Sequence, residues 1–497
     1  MNTTLQQNKP PYLMIAVLFV GAFVSFLNNS LLNVALPSIM VDLKIENYST
    51  VQWLATGYML VSGVLIPASA FLITRFTNRS LYITSLVIFT IGTAMAAFAP
   101  NFGFLLAGRM VQAAGSSVMG PLLMNIMLIS FPREKRGAAM GIFGLVMITA
   151  PAIGPTLSGY IVEYHDWRVL FEMILPLAVI SLILSIWKLE NIMETNKNAS
   201  IDYLSLVLST IGFGGLLYGC STASTDGWDD KIVLTTLIVG GITLILFVLR
   251  QLQLKQPLLD LRVYKYPMFA LASVISIVNA VAMFSGMILT PAYVQSVREI
   301  SPLDSGLMML PGAIVMGIMS PITGKLFDKF GPRVLSITGL CITAVSTYLL
   351  SELQIDSTYT YIIMIYSMRM FGMSMVMMPL MTNGLNQLPT RLNPHGTAVN
   401  NTAQQVSGSI GTAILVTIMN TVTTSKGEDL MASVDPTTLT PAAIDHLGKE
   451  ALLSGIQYSF LVALFINLAA LVLAFFIKRV DVSYESVEKI EKESNPA

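Results

Sequence analysis

The sequence predicts an all-α polytopic membrane protein of fourteen spans, on three observations. First, 54 % of its 497 residues are hydrophobic and 11 % are charged, where soluble chains run near a quarter charged. Such a chain cannot cover its exterior with polar side chains in water, so lipid is its solvent. Second, apolar runs of about 20 residues, enough to cross hydrocarbon as a helix, recur fourteen times. Third, no run shows the two-residue alternation of a membrane barrel.

The spans fall near 12–36, 52–73, 80–99, 103–130, 137–162, 168–188, 202–222, 232–252, 267–295, 304–327, 334–352, 357–388, 396–424 and 455–478. The first follows only Lys9 and precedes no small-residue cleavage site, so it reads as a retained helix and not a signal peptide. Arg75 and Arg79 separate the second from the third, and Arg133, Lys135 and Arg136 the fourth from the fifth. Lys188 and Lys197 follow the sixth; Arg250, Lys255, Arg262 and Lys265 follow the eighth. Lys325, Lys329 and Arg333 bound the tenth and eleventh, Arg391 the twelfth and thirteenth, and Lys478 and Arg479 close the last. Between the thirteenth and fourteenth, residues 425–454 read as a long outer loop, with Thr440-Pro441-Ala442-Ala443 capping a short helix.

Cationic loops face the cytoplasm. With an inside N-terminus, twenty Lys and Arg fall in inner segments and five in outer loops, while Arg109, Arg168 and Arg369 lie within or at the edge of spans. Both termini are therefore placed in the cytoplasm. Sixteen carboxylates fall in outer loops and eleven in inner segments, leaving Glu172 as the one acid within a span. The even balance of 28 basic and 28 acidic residues provides no field for nucleic acid. Cys220 and Cys341 sit in apolar runs, and His165, His395 and His446 fall between spans. That excludes a disulfide framework or a zinc cluster.

The chain also repeats itself. Residues 66–84 align with 320–338 without gaps at an offset of 254: Pro67 with Pro321, Leu72 with Leu326, Phe76 with Phe330, Arg79 with Arg333. Arg109-Met110 and Pro121-Leu122 are echoed by Arg369-Met370 and Pro379-Leu380. Two halves of six spans with two extra spans between them account for fourteen. The layout is a half over 1–200, an inserted pair over 201–256, a second half over 257–480 and a charged tail over 481–497. Transporters built from repeats bind cargo near the midplane between them.

The residues that carry chemistry resemble a known family. Gly324-Lys325-Leu326-Phe327-Asp328-Lys329-Phe330-Gly331-Pro332-Arg333 resembles the inter-span signature of the major facilitator superfamily. Its first-half counterpart over 70–79 has lost the acid and the glycines. Arg109-Met110-Val111-Gln112-Ala113-Ala114-Gly115 is similar to the fourth-span motif of proton-coupled members. The run Ala150-Pro151-Ala152-Ile153-Gly154-Pro155-Thr156-Leu157-Ser158-Gly159 is similar to the fifth-span motif of antiporters, and Asn33-Val34-Ala35-Leu36-Pro37 to the drug-exporter motif. Together they resemble the 14-span EmrB/QacA-type drug:proton antiporters. The resemblance implies the major facilitator fold, proton coupling and a bacterial cell membrane. Many relatives carry a first-span aspartate where this chain reads Leu27-Asn28-Asn29-Ser30.

Arg109, Gln112 and Ser116 share one helical face; Arg109 either couples conformations or snorkels outward and locks helices. Glu172 is either the protonatable partner lost at Asn28, its pKa set by desolvation against a nearby cation, or a lip residue paired with Arg168 or hydrated at the interface. Ser25, Asn29 and Asn33 recur every four residues on the first span, as Asn400, Gln404 and Ser407 nearly do on the thirteenth. These stripes face a cavity or bond helix to helix. The twelfth span from Met368 to Met381 carries seven methionines, Met373 and Met377 among them, around Arg369. Flexible thioethers repack around varied apolar guests, though two or three suffice to line a site. Pro151, Gly154, Pro155 and Gly159 let helices approach and kink, and Asp328 with Lys329 and Arg333 reads as a conformational latch.

The expected function is proton-driven antiport of apolar or amphipathic drug-like molecules by alternating access. The alternative is export or flipping of a lipid, glycolipid or endogenous metabolite by the same fold. The chain has no Gly-rich phosphate loop and no hydrolase or zinc motif, so no enzyme and no cofactor beyond the proton gradient is expected. Its partners are then its substrates, protons and lipid, with no nucleic acid.

Overall fold

A computed structural model describes residues 11–45, 48–132, 135–193, 195–196, 202–433 and 440–480, except the side chains at 33, 48, 49, 148, 152, 224–226 and 302. Among them are fifteen α-helices and fourteen helical stretches long and apolar enough to cross a membrane. They are α1 (Tyr12–Asp42), α2 (Tyr48–Arg75), α3 (Asn78–Ala97), α4 (Phe102–Ser130), α5 (Arg136–Tyr164), α6 (Val169–Lys188), α7 (Tyr203–Asp226) and α8 (Lys231–Gln253). Then follow α9 (Pro267–Ala292), α10 (Pro302–Phe330), α11 (Pro332–Ser351), α12 (Tyr359–Ser374), α13 (Met377–Asn386), α14 (Asn393–Ala432) and α15 (Pro441–Ala474).

Side-chain oxygens start several helices by accepting orphan backbone N–H groups. Thr77 accepts from Ser80, Asn101 from Phe104, Asp202 from Ser205 and Asp230 from Ile232 and Val233. Gly331 ends α10 with φ of +80°, a left-handed value that disfavours side chains, and Pro332 opens α11.

Two expectations are corrected. The twelfth span is two helices, broken at Met375–Val376. Pro379 has no N–H for the Met375 carbonyl four residues back and crowds it, so the ladder opens there. The outer loop near 425–454 is mostly helix. α14 runs on to Ala432, and Thr440 caps the first turn of the 34-residue α15 instead of a separate short helix. Hydropathy ends where lipid ends, but helix formers continue in water, and Lys449 bonds Asp445 one turn back at 2.6 Å.

The first six helices pack among themselves, chiefly α1 on α5 and α6, and α4 on α2 and α3. In α9 to α15 the same kinds of neighbour recur: α12 on α10 and α11, α14 and α15 on α9. Helix α5 lies along α10, and α14 lies against α2 and α4. Helix α7 bridges α2 and α14, while α8 packs on α7 and turns Ile238, Ile245 and Leu249 outward. No water-facing role is needed for such a face in a bilayer.

One end of the bundle, which we call the basic end, carries the α2–α3, α4–α5 and α10–α11 connections with Arg75, Arg79, Arg136, Lys329 and Arg333. It is tightly closed. Arg136 donates to the Asn386 carboxamide at 3.1 Å, the Asp328 carboxylate accepts the Ala138 N–H at 3.1 Å, and the Ser320 hydroxyl donates to the Gly141 carbonyl at 2.9 Å. The apolar core of the first six helices continues into Met378, Met381, Leu385 and Leu388 on and after α13, and into Ala398 and Val399 on α14.

Candidate functional site

The site grows from α4. Its spacing places Arg109, Gln112 and Ser116 on one face, turned inward against α1, α2 and α3. Arg109 is fully buried and does not snorkel. Its Nε donates to the Leu54 carbonyl at 3.4 Å and its Nη1 to Gln112 Oε1 at 3.0 Å, while its Cζ stands 4.4 Å from the centre of the Tyr58 ring. A guanidinium over an aromatic face is favoured by the ring quadrupole. Tyr58 and Ser116 share a hydrogen bond of 2.6 Å. Gln112 Nε2 donates to Asn28 Oδ1 at 3.3 Å and to Thr93 Oγ1 at 2.9 Å, and Thr93 in turn donates to the Phe89 carbonyl. Four helices thus meet in one polar knot.

Asn28 joins the knot through a neutral amide. Arg109 keeps its charge, and no Asp or Glu is buried anywhere among the described residues. The Nη2 of Arg109 and the Nδ2 of Asn28 have no partner.

The structure does not bring Glu172 to this knot. Glu172 is exposed in the first turn of α6, a helix that packs on α3 and α1 and not on α4. Nor does it pair with Arg168, whose guanidinium goes to Asp42 at 2.9 Å and Asp166 at 3.4 Å. The Arg168 and Trp167 donors hold the Asp42 carboxyl below the usual carboxylate range.

Ser25 is buried near Tyr58, Asn29 is half-buried, and the Asn33 side chain lies outside the described residues. On α14, Asn400 is buried and Gln404 half-buried. In the second half, Ala282, Met316, Tyr366, Met370 and Met373 form a buried cluster, with Met283, Met309 and Met377 packed on it. Arg369 adjoins it. Its Nη2 donates to the Ala282 carbonyl and to the Ser285 hydroxyl, the latter at 3.2 Å, and its Cζ lies 6.0 Å from the Phe460 ring centre. Sequence reasoning named Arg369 without its neighbours. Tyr58, Thr93, Ser285 and Tyr366 are single polar groups in apolar helices, with no spacing that marks them.

Several of the residues read as conformational lie on the line between α5 and α10. Gly137 faces Gly324 and Asp328, Gly141 faces Ser320, and Gly159 faces Leu303, while Gly154 faces Ser30 on α1. Pro151 and Pro155 lie inside α5, and Lys329 and Arg333 are exposed near Asp328. Among the described residues no group of three or more His, Cys, Asp and Glu side chains could hold a metal.

The family model of the Major Facilitator Superfamily matches residues 18–412. The chain is 46 % identical to the MFS-type transporter YhcA of Bacillus subtilis, over 98 % of this chain and 96 % of that one. It is 45 % identical to the lincomycin resistance protein LmrB of the same species, over 96 % and 98 %. Among solved structures, the human organic anion transporter MFSD10 (TETRAN) shares the fold with a TM-score of 0.62 at 12 % identity, covering 93 % of this chain and all of that one. With its helices, its repeat and these matches in agreement, the chain is a multi-pass membrane transporter that belongs to the Major Facilitator Superfamily.

Proposed function

We propose that this transporter exports apolar or amphipathic small molecules in exchange for protons, by alternating access across a bacterial cell membrane with the basic end in the cytoplasm. One observation carries the reading. The α5 run that resembles the antiporters' fifth-span motif lies on the seam with α10, where Pro155 and Thr156 meet Gly306 and Gly159 meets Leu303. Small residues on both sides let the helices roll on each other as the ends open in turn. The resistance named in LmrB supports a drug-like cargo.

The energetics are adequate for such an exchange. A proton moving down 100 mV releases about 2.3 kcal/mol, and a tenfold gradient of a neutral solute costs about 1.4 kcal/mol. One proton per molecule suffices. Arg109 is assigned to the coupling as the fixed cation of the knot, and Glu172 is the span acid to be tested as the carrier.

The test is substrate-triggered proton movement in inverted vesicles, with lincomycin as the probe. Addition should dissipate a preformed gradient with the native chain and fail with Arg109→Gln. If Glu172→Gln couples as well as the native chain, Glu172 is a surface acid and the proton rides elsewhere. If lincomycin crosses with no proton signal at all, the antiport reading falls.

A further inference from the structure

The two buried arginines occupy equivalent places in the two repeats, but Arg109 leaves only Nη2 unpartnered and Arg369 leaves both Nε and Nη1. The structure extends the sequence repeat. Helices α2 and α10 begin at 48 and 302, and α3 and α11 at 78 and 332, each an offset of 254. Helices α1 and α9 begin at 12 and 267. Carried through the polar knot, those offsets set Asn28 against Met283, Tyr58 against Gly312 and Thr93 against Thr347. The offset of 260 that pairs Arg109 with Arg369 sets Gln112 against Gly372.

The second repeat has therefore kept the cation and the threonine and lost the amides and the ring. The consequences are visible. Thr347 is buried with its hydroxyl unpartnered, where Thr93 accepts from Gln112. The vacated side of Gly312 is filled by Tyr366 from α12 itself, whose ring a Cβ at Gly312 would meet at 2.7 Å. Arg369 is fully buried with Nε and Nη1 unpartnered, and no described Asp or Glu is buried to neutralise it. A buried, permanently charged guanidinium with free donors is costly unless something pairs with it.

What surrounds it defines the complement. Arg369 bonds the carbonyl of Ala282 and lies one helical turn after Tyr366, both members of the methionine cluster formed with Met316, Met370 and Met373. Adaptable thioethers suit an apolar body of loose shape, and a planar fork of donors suits a carboxylate. The α12–α13 break at Met375–Val376 begins six residues beyond Arg369, and discontinuous helices are where transporters of this kind hold cargo.

We propose that Arg369 is the anion-recognising end of the cargo site, so that the preferred substrates are amphipathic monoanions with a carboxylate head on Arg369 and an aromatic or alkyl body on the methionine cluster. The inference rests on the exporter reading and narrows it. Export of a monoanion against a proton moves two charges in the direction the membrane potential favours, so such cargo is driven more strongly than a neutral one.

The test compares 2-naphthylacetate with its primary amide, in proteoliposomes holding the full chain, by counterflow. The native chain should move the carboxylate at least tenfold faster than the amide, and Arg369→Gln should move both at the amide rate. Gly286→Ala is the second variant. Its Cβ would come 1.9 Å from Nη1 and 2.7 Å from Cζ of Arg369, so it displaces the guanidinium without removing the charge and should also erase the preference. Equal rates in the native chain, or a preference that survives in folded Arg369→Gln, overturn the proposal. If neither probe moves while lincomycin still drives protons, the anion site falls and the exporter reading stands. If lincomycin drives none either, both fall together.

Discussion

Substituting Gly324 by alanine should open the basic end. A Cβ there would lie 2.3 Å from the Gly137 carbonyl oxygen and 2.9 Å from its carbon, both backbone atoms of α5 that cannot turn aside. Ordinary contact begins near 3.4 Å, so α5 and α10 must part by roughly 1 Å. The Asp328 to Ala138 bond, 3.1 Å in the native chain, then exceeds hydrogen-bond range. A bond to a charged group contributes about 1.5–3 kcal/mol, which shifts the closed-to-open ratio by about 10- to 150-fold. The assay is alkylation of Met140→Cys, a position on α5 that is 1 % exposed, in a chain whose Cys220 and Cys341 are replaced by serine. An impermeant maleimide added at the basic end should react with the Gly324→Ala form faster by that factor. Equal rates would show that the glycine contact does not hold this end shut, and the latch reading of Asp328 would fail with it.

Three further outcomes follow from the same geometry. Gln112→Ala removes bonds to Arg109, Asn28 and Thr93 and should destabilise the protein by about 3 kcal/mol; Gln112→Glu supplies the missing carboxylate and should melt at or above the native temperature. Asp202 receives a bidentate bond from Arg250 at 2.6 and 2.9 Å, which, with Ser205, holds its carboxyl well below the usual range. A lowered native pKa gives stability that is present above the ordinary carboxylate pKa and lost as pH falls through the native value. Asp202→Asn should therefore cost about 1 kcal/mol at pH 7, the pair being partly screened, and the gap from the native melting curve should shrink below about pH 4. Pro379→Ala restores an N–H for the Met375 carbonyl, so amide exchange over 376–379 should slow by about tenfold as the break closes; unchanged exchange would place the cause of the break elsewhere.

How much of this was legible follows from what one-dimensional signals encode. Span number and order are written in hydropathy, because lipid tolerates only apolar exteriors, and Asp328, Lys329 and Arg333 stand in a motif whose residues are contiguous. The α12–α13 break was legible in principle, since Pro379 stands in a helical run; but Pro121, its repeat counterpart, lies inside an unbroken α4, so proline alone does not decide. The extensions of α14 and α15 beyond their apolar runs were hidden because hydropathy reports solvent and not conformation. The polar knot was half legible. Arg109 and Gln112 share a turn, whereas Tyr58 and Thr93 reach them from other helices across 51 and 19 positions of sequence. Glu172 drew attention as the lone span acid, yet its place in a first turn let it face outward.

The two seams between the repeats are closed by different means, and that difference bears on how cargo enters. Along α5 and α10 the closure is backbone on backbone at Gly137 against Gly324 and at Gly141 against Ser320, and at the other end the Leu303 side chain packs on Gly159. Along α2 and α14 the helices meet directly and a third is added to the contact. Helix α7 lies over both, bonded to α2 through Ser221 and Thr56 at 3.3 Å, while Trp228 after its last turn bonds Thr417 of α14 at 2.6 Å. Helix α7 therefore borders this seam, and α8 packs on α7 with Ile238, Ile245 and Leu249 exposed. In this state neither seam admits lipid to the arginines, and the basic end is shut. A guanidinium within a bilayer is costly unless it faces the bundle interior, and Arg109 and Arg369, both fully buried, are kept there by the contacts that close the two seams.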